Sequence, residues 1–289
     1  MIETWKKTEL EKLTRAHGFR FSKSFGQNFL VDRNTLEKVV RGAELSPDNH
    51  VVEIGPGAGA LTVLLAQAAG QVTAVEVDGR LMPLLREVTE GLQNVTLVHE
   101  DFLKYSKTLL SSAGPLSGGT YKLVGNLPYY ITSPIIAGLF EPGADGIRPA
   151  PPALAVFMMQ REVAERLLSP PGKKAYGAIS VLVQYYADAE LLFQVSREVF
   201  VPRPNVDSTV IRLRPKDLSG DDAKTVSRMF RLVRAGFDMR RKTLRNSLAG
   251  SGFPAAELEA AFVQSGIDPV RRAETLSPRD FYTLASHLS

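Results

Sequence analysis

The chain has 289 residues, 44% of them hydrophobic, and its 35 Lys and Arg against 31 Asp and Glu give a net charge of +4. This length predicts one large domain and one small one. The lack of cysteine excludes disulfides, thiolate metal sites and a cysteine nucleophile, and the four histidines show no metal-type spacing, so we expect no metal. Without a signal peptide or a long apolar run, we expect a cytoplasmic protein that does not bind membranes.

The first 41 residues form a basic extension, with nine Lys or Arg against five acids. Within it, the polar segment Ser24–Leu30 precedes a helix that is predicted to begin near Asp32. Taken alone, this segment favours a helix-capping turn over a lid that covers one end of a ligand.

From Asn49 onward, short apolar runs rich in β-branched residues alternate with stretches of helical periodicity. This alternation predicts a doubly wound α/β domain with parallel strands and crossover helices. The predicted strands are Val51–Ile54, Val72–Val75, Val95–Val98, Lys122–Gly125 and Leu154–Met158. The helices between them include Gly59–Ala69 and Leu81–Glu90, and exposed loops are predicted at Pro142–Pro152 and Ser169–Lys174. Two later segments, Glu190–Val195 and Ser208–Leu213, are predicted to be strands that can pair antiparallel at one edge.

The strand signals stop after Arg214-Pro215, and the rest of the chain is predicted to be helical. We therefore expect an α/β domain of residues 1–214 and a smaller all-helical domain of residues 215–289. Residues 221–250 carry eight Lys or Arg against three Asp, a net charge of +5 that suits a phosphate backbone. On a single helix, four of these cations share an arc of about 80°, but a break at Gly236 would separate them. The four are Arg231, Arg234, Arg241 and Arg245.

A glycine-rich turn lies between the first predicted strand and the following helix, where glycine lets the backbone approach a ligand closely. Its sequence, Gly55-Pro56-Gly57-Ala58-Gly59-Ala60, fits the Gly-x-Gly-x-Gly pattern of methyltransferases and also the Gly-x-Gly-x-x-Gly/Ala pattern of NAD enzymes. Glu76, 21 residues after Gly55, ends the second strand, where its carboxylate can accept hydrogen bonds from both hydroxyls of a ribose. The turn and this acid therefore suit the cofactor of a methyltransferase as well as NAD.

Polar residues at the ends of the third and fourth strands favour a methyltransferase over an NAD enzyme. Asp101 can accept a hydrogen bond from an adenine amino group, and 25 residues further on Asn126-Leu127-Pro128-Tyr129 resembles the Asn/Asp-Pro-Pro-Tyr box of amino-methyltransferases. The N6 atom of adenine is a poor nucleophile because its lone pair is delocalised into the ring. The Asn126 side-chain oxygen and the Leu127 carbonyl can each accept one N6 hydrogen. Pro128 fixes the turn, and Tyr129 can stack on a flipped base.

Phe200 precedes the stiff segment Pro202-Arg203-Pro204 and can deliver a second aromatic face to the base. Together, these motifs closely resemble the ribosomal RNA adenine dimethyltransferases of the KsgA/RsmA family over nearly the whole chain. The matching segments are Phe25–Leu30, Val52–Thr62, Glu76, Glu100-Asp101, Asn126–Tyr129, Phe200–Ser208 and Arg240–Leu248.

The resemblance implies a Rossmann-like class I methyltransferase sheet and S-adenosylmethionine-dependent N6,N6-dimethylation of two adjacent adenosines near the 3′ end of small-subunit (16S) ribosomal RNA. The expected substrate is a partly assembled small subunit, which implies a role in ribosome biogenesis. Motifs and resemblance together predict cofactor contacts from Gln27, Asn28, Leu30, Gly55, Gly57, Glu76, Asp101 and Asn126. The residues expected around the target adenine are Asn126, Leu127, Pro128, Tyr129 and Phe200. The expected RNA-binding residues are Arg231, Arg234, Arg240, Arg241, Lys242 and Arg245.

Several alternatives stay open. A large-subunit RNA methyltransferase shares the catalytic boxes, although the basic segment Arg240–Leu248 and the long C-terminal region favour the small-subunit enzyme. A non-catalytic assembly factor for the small subunit needs only the binding surface. A DNA adenine methyltransferase is expected to carry Asp at position 126, and a nicotinamide dehydrogenase has no use for Asn126–Tyr129. We expect a monomer.

Overall fold

The structure is a computed structural model that describes residues 2–21, 27–109, 120–128, 131–140 and 151–289, with only the backbone for 107–109. The strands in these residues are β1 (Phe29–Leu30), β2 (His50–Ile54), β3 (Gln71–Glu76), β4 (Val95–His99), β5 (Tyr121–Asn126), β6 (Leu154–Gln160), β7 (Ala187–Val195), β8 (Phe200–Val201) and β9 (Ser208–Pro215). The helices are α1 (Lys7–Ala16), α2 (Arg33–Gly42), α3 (Ala60–Ala68), α4 (Met82–Val88), α5 (Phe102–Leu109), α6 (Thr132–Phe140), α7 (Arg161–Leu168), α8 (Ala178–Tyr186), α9 (Ala223–Asp238), α10 (Leu244–Leu248), α11 (Ala255–Ser265) and α12 (Pro278–Ser286).

A sheet of seven strands in the described residues has the order β4-β3-β2-β5-β6-β9-β7. The first five strands in this order are parallel, and β9 runs antiparallel to β6. The predicted parallel sheet is therefore confirmed, as is the position of the two late strands side by side at one edge. The antiparallel pairing that the structure establishes joins β9 to β6.

The strand order reverses at β2, which lies between β3 on one side and β5 on the other. In a doubly wound sheet, a crevice forms at this switch point, outside the carboxyl ends of the strands. The central strands are almost wholly apolar because both of their faces are covered, and Val51, Val52 and Ile54 of β2 are all buried. The fold therefore prepares one ligand position at the ends of β2, β3 and β5.

A second, two-stranded sheet was not predicted from the sequence. Strand β1 pairs antiparallel with β8, so that Leu30 lies opposite Phe200. Helix α2 follows directly, and the Asp32 side chain caps it by accepting a hydrogen bond from the Thr35 backbone nitrogen at 2.8 Å. This cap confirms the predicted helix start.

The chain divides into two compact units, Met1–Ala164 with Glu190–Pro215, and Glu165–Ala189 with Lys216–Ser289. The second unit thus begins one residue after Pro215, close to the predicted boundary, but it also takes in residues 165–189. The reason is packing, since Tyr185 and Tyr186 of α8 contact the Phe230 ring of α9 at 5.7 and 5.6 Å between centroids. From periodicity alone, this segment reads as part of the α/β domain.

Helix α9 continues through Gly236 and ends at Asp238. A Cβ atom at Gly236 would lie 2.8 Å from the Ala273 Cβ atom, so glycine here permits close packing and does not break the helix. The arrangement of four arginines on a single helix is nevertheless wrong, because Arg241 and Arg245 lie beyond the end of α9. Across the described residues, every helix is too short or too polar to cross a membrane.

Candidate active site and nucleic-acid surface

A cavity of about 190 Å³ lies at the carboxyl ends of β2, β3 and β5 in the first unit. All eight residues that were predicted to contact a cofactor line it. These are Gln27, Asn28, Leu30, Gly55, Gly57, Glu76, Asp101 and Asn126. Leu127 and Pro128, predicted to face a target base, line the same cavity.

The glycine turn forms the floor of the cavity between β2 and α3. Gly55 and Gly57 have φ angles of +68° and +60°, in the left-handed region that favours glycine. A Cβ atom at Gly57 would lie 2.8 Å from the Phe29 ring. A larger residue therefore fits neither the backbone conformation nor the space, and the turn exposes its backbone to a ligand at close range.

Glu76 ends β3 with its carboxylate buried against this turn, at 5% exposure. One carboxylate oxygen accepts a hydrogen bond from the Gly57 nitrogen at 3.2 Å, and the other accepts one from the Asp78 nitrogen at 2.9 Å. Burial raises the pKa of Glu76, and these backbone hydrogen bonds offset only part of that effect. The carboxylate is thus fixed in orientation, with lone pairs that can accept from ligand hydroxyls.

Asp101 is half-buried and lies where β4 leads into α5. Its Oδ1 atom accepts a hydrogen bond from the Leu103 nitrogen at 2.9 Å and so caps the helix. Because this capping uses Oδ1, the Oδ2 atom can accept a hydrogen bond from a ligand in the cavity.

Asn126 ends β5, and its side-chain amide nitrogen donates a hydrogen bond to the Asn28 carbonyl oxygen at 3.2 Å. An amide has separate donor and acceptor ends, so this bond directs the Oδ1 atom to act as the acceptor. The following backbone is held by a bond from the Leu127 nitrogen to the Met158 carbonyl oxygen at 2.9 Å, and Leu127 is only 1% exposed. The acceptor side chain and the next residue are therefore both rigidly placed.

Pro128 begins the turn that leads into α6. Its carbonyl oxygen accepts hydrogen bonds from the Ile131 nitrogen at 3.2 Å and from the Thr132 hydroxyl at 3.0 Å. Tyr129, predicted to stack on a base, lies outside the described residues.

Phe200, predicted to face the target base, begins the short strand β8. Its side chain is 3% exposed and packs in the hydrophobic core, and it is not among the described residues that line the cavity. Its backbone pairs with Leu30, which does line the cavity. The predicted contact of this aromatic ring with a target base stays a prediction.

Glu53 was missed by the sequence analysis and lines the cavity from β2. Its carboxyl group is fully buried and accepts a hydrogen bond from the Thr62 hydroxyl at 2.6 Å. Burial raises the pKa of Glu53 to about 8, and the nearby charge of Glu76 adds to this effect. A sequence signal existed, since Glu53 is the one acid within the apolar run Val51–Ile54.

Asp78 was also missed by the sequence analysis, and it binds Gln27, one of the predicted cofactor contacts. The Gln27 side-chain nitrogen donates to Asp78 Oδ2 at 2.7 Å, and Arg80 Nε donates to Oδ1 at 2.8 Å. Burial opposes ionisation of Asp78, but the hydrogen bonds from Arg80 and Gln27 outweigh it and lower the pKa. Gln27 therefore lines the cavity while its amide nitrogen is tied to this acid.

Thr4 lines the same cavity from the N-terminal extension. The residue is 1% exposed, and its hydroxyl lacks a hydrogen-bond partner within the described part of the chain. Its sequence surroundings carry no motif that could have identified it. Despite the acids nearby, a search of the described residues finds no group of three or more His, Cys, Asp or Glu placed to hold a metal ion.

Three of the six predicted RNA-binding residues in the second unit are engaged by neighbours. The Arg231 guanidinium lies 4.1 Å from the Phe253 ring centroid, Arg240 Nε bonds Glu274 at 2.6 Å, and Arg245 Nε pairs with Glu259 at 2.7 Å.

The other three, Arg234, Arg241 and Lys242, are exposed and have no ion pair with any residue that the structure describes. Exposed cations without internal partners are free to meet phosphates. The basic character predicted for this segment therefore divides into cations held within the protein and cations presented to solvent.

The sheet order, the glycine turn and the strand-end cavity are those of a Rossmann-like methyltransferase. A dimethyladenosine transferase from Plasmodium falciparum has a similar structure, with a TM-score of 0.72 and 25% identity, over 89% of this chain and 95% of that one. The 23S rRNA methyltransferase ErmE gives a TM-score of 0.68 at 30% identity, over 90% of this chain and 99% of that one.

The family model for ribosomal RNA adenine dimethylase matches residues 18–289, and the chain belongs to that family. Two curated relatives share the name ribosomal RNA small subunit methyltransferase A. The one from Clostridioides difficile (strain 630) is 41% identical over 96% of this chain and 93% of its own length. The one from Bacillus mycoides (strain KBAB4) is 44% identical over 96% of this chain and 94% of its own length.

Proposed function

We propose that this protein transfers methyl groups from S-adenosylmethionine to the N6 atom of adenine in small-subunit ribosomal RNA, producing N6,N6-dimethyladenosine. One observation carries the proposal. A single cavity collects the buried acid Glu76, the half-buried acid Asp101 and the Asn126-Leu127-Pro128 turn at the ends of neighbouring strands. The first two suit a nucleoside, and the third suits an amino group that is to be methylated.

The residues of the cavity fit S-adenosylmethionine. Glu76, whose two oxygens are oriented by backbone donors, accepts hydrogen bonds from the ribose hydroxyls. Asp101 accepts from the adenine amino group through Oδ2, and the backbone at Gly55 and Gly57 allows close approach. Gln27, Asn28 and Leu30 line the wall at which we place the methionine end. When bound, this cofactor supplies an electrophilic methyl group on a positively charged sulfur.

The chain itself prepares the attacking nitrogen. In the first transfer, Asn126 Oδ1 and the Leu127 carbonyl oxygen accept the two N6 hydrogens of the target adenine, which favours a pyramidal nitrogen and stabilises its developing positive charge. The single hydrogen that remains on N6 can be accepted in the same way in the second transfer. Most of the rate gain comes from alignment, because the amide of Asn126 is held by Asn28 and the backbone of Leu127 by Met158. A strong base is not required, since the methylated amine is acidic and loses its proton to solvent.

The substrate follows from the relatives and from the second unit. The relatives that are 41% and 44% identical are named for the small subunit. The exposed cations Arg234, Arg241 and Lys242 position an RNA backbone without reading its sequence, while Arg231, Arg240 and Arg245 support that surface through their internal contacts. We take the natural substrate to be a partly assembled small subunit.

A second candidate is adenine methylation of large-subunit RNA. The similarity to the 23S rRNA methyltransferase ErmE favours it, with 30% identity over 90% of this chain. The higher identity to proteins named for the small subunit makes it the weaker candidate.

The test is transfer of labelled methyl groups from S-adenosylmethionine to small and large ribosomal subunits purified without adenine dimethylation, followed by nucleoside analysis. We expect labelled N6,N6-dimethyladenosine in the small subunit alone. Label in the large subunit alone would establish the second candidate. Tight binding to small subunits without any methyl transfer would overturn both and indicate an assembly factor.

A further inference from the structure

The loop Ser169–Ala175, which joins α7 to α8 in the second unit, carries two lysines that the proposed RNA surface does not yet include. Lys173 and Lys174 are exposed, and neither forms an ion pair with an acid within the described ranges. The role of this loop could not be predicted from its sequence, Ser-Pro-Pro-Gly-Lys-Lys-Ala. The contacts that the loop makes in the structure indicate a role.

Arg240 holds the loop in place. Its Nη2 atom donates a hydrogen bond to the Lys174 carbonyl oxygen at 2.6 Å, while its Nε atom bonds the Glu274 carboxylate at 2.6 Å. The Glu274 backbone also takes part, because its carbonyl oxygen accepts a hydrogen bond from the Gly172 nitrogen at 2.7 Å. The guanidinium group of Arg240 thus bridges the loop to the segment around Glu274 through two of its donors.

The end of the loop is anchored as well. Tyr176 is completely buried, its hydroxyl donates to the Leu276 carbonyl oxygen at 2.9 Å, and its ring lies 6.0 Å from that of Phe237 in α9. The loop is therefore held by hydrogen bonds at three residues, Gly172, Lys174 and Tyr176. Its two lysine side chains are presented beside the chain segment that carries Arg240, Arg241 and Lys242.

We propose that Lys173 and Lys174 bind phosphates of the RNA backbone together with Arg241 and Lys242, and that Arg240 is a positioning residue that holds the lysine loop. This inference rests on the proposed function for its partner, an RNA. Charge complementarity supports it, since four exposed cations without internal acidic partners lie around one ion pair. Two adjacent lysines alone would be an ordinary solvated surface, but here a dedicated bridge fixes their backbone.

The test measures the salt dependence of equilibrium binding to fluorescently labelled small subunits that lack adenine dimethylation. For Lys173→Gln/Lys174→Gln, the slope of log Kobs against log[salt] is expected to become shallower by about 1.4–1.8, because each lost phosphate contact contributes roughly 0.7–0.9. Lys224→Gln is the matched control. Lys224 is an exposed lysine at the start of α9, roughly 20 Å along the helix from its last residue, Asp238. Its slope is expected to stay at the wild-type value.

The role of Arg240 is tested by Arg240→Lys, which keeps the charge but lacks the planar fork that reaches both partners. We expect a shallower slope although no charge is lost, and a smaller additional effect of the Lys173→Gln/Lys174→Gln change in this background. A wild-type slope in Arg240→Lys would overturn the positioning role. Thermal unfolding of each variant checks that the fold is retained.

Three outcomes separate this inference from the proposed function. If the wild type methylates the subunit but Lys173→Gln/Lys174→Gln leaves the slope unchanged, the lysine loop does not bind RNA. If the slope of this variant becomes shallower with the whole subunit but not with protein-free small-subunit RNA, the partner of the two lysines is an acidic protein, and the inference is overturned. If the slope falls with both but the wild type transfers no methyl group, the inference stands and the proposed function fails.

Discussion

The cavity of the first unit and the cationic surface of the second place their ionisable groups in opposite surroundings. In the cavity, Glu53 and Glu76 are buried and held by hydrogen bonds. On the surface, Arg234, Arg241 and Lys242 are exposed. Burial makes each interaction strong and sensitive to geometry, whereas solvent and salt weaken the interactions of exposed charges.

A change in each of the two regions is therefore expected to alter a different measured property. A substitution in the cavity removes a fixed acceptor and alters rate, cofactor affinity or pH dependence. A substitution on the surface removes one of several similar contacts and alters the salt dependence of binding.

Asn126→Ala is expected to lower the single-turnover rate of methyl transfer by about 10²–10³, as loss of one fixed hydrogen-bonding group in a reaction centre typically does. Binding of small subunits is expected to change little. Rapid-quench measurement of labelled methyl transfer checks the rate. Asn126→Asp serves as the control, since it keeps an acceptor but loses the donor to the Asn28 carbonyl oxygen, and an intermediate rate is expected.

Glu53→Gln is expected to make stability less dependent on pH. The folded protein keeps the Glu53 proton up to about pH 8, whereas the unfolded chain releases it near the ordinary value of 4.5. Stability from this group is therefore present below about 4.5 and is lost as the pH rises toward 8, on the order of 3 kcal/mol between pH 5 and pH 8. Denaturant unfolding at several pH values measures this. The free energy of unfolding of the variant is expected to increase relative to that of the wild type as the pH rises.

The same series on Glu90→Gln, an exposed acid, provides the control for Glu53. This variant is expected to follow the wild type at every pH. If Glu53→Gln also ran parallel to the wild type, the buried carboxyl group would not hold its proton in the folded protein.

Glu76→Gln is expected to weaken S-adenosylmethionine binding by roughly 10–100-fold, because a hydrogen bond to a charged acceptor contributes about 1.5–3 kcal/mol. Titration calorimetry with the purified protein measures this. Glu100→Gln is the matched comparison, because Glu100 lines the same cavity but is exposed. Equal losses in the two variants would contradict the assignment of Glu76 to the ribose.

Arg241→Ala is expected to make the salt slope of subunit binding shallower by roughly 0.7–0.9, the contribution of one phosphate contact. Arg245→Ala should have a smaller effect, because its guanidinium group is already paired with Glu259 at 2.7 Å. Binding titrations at several salt concentrations compare the two. A larger effect from Arg245 would mean that its ion pair opens to meet the RNA.

Much of the cavity could be predicted from the sequence, because parallel strands place their carboxyl ends at one edge and the residues after each strand meet there. Glu76, Asp101 and Asn126 were found in this way. Glu53 was missed because a side chain within a strand gives no sign of which ligand position it faces. Motif order does not show that the strand of Phe200 pairs with β1 or that its ring is buried, and the contact of this ring with a target base stays a prediction.

The second unit was harder to predict, because its packing joins segments that are distant in sequence. Helical periodicity cannot tell that α8 packs with α9, or that Gly236 serves close packing against Ala273 while the helix ends two residues later. The lysine loop has the composition of any exposed turn. Its significance depends on the bridge from Arg240, a contact across 66 residues of sequence.

We expect the cavity to perform methyl transfer to adenine and the cationic surface to bind the RNA. Steady-state kinetics on undimethylated small subunits tests it directly by comparing Asn126→Ala with the double variant Arg241→Ala/Lys242→Ala. We expect Asn126→Ala to lower kcat at an unchanged KM for the subunit, and the double variant to raise KM at an unchanged kcat. Wild-type kcat in Asn126→Ala, or a loss of kcat alone in the double variant, would contradict it.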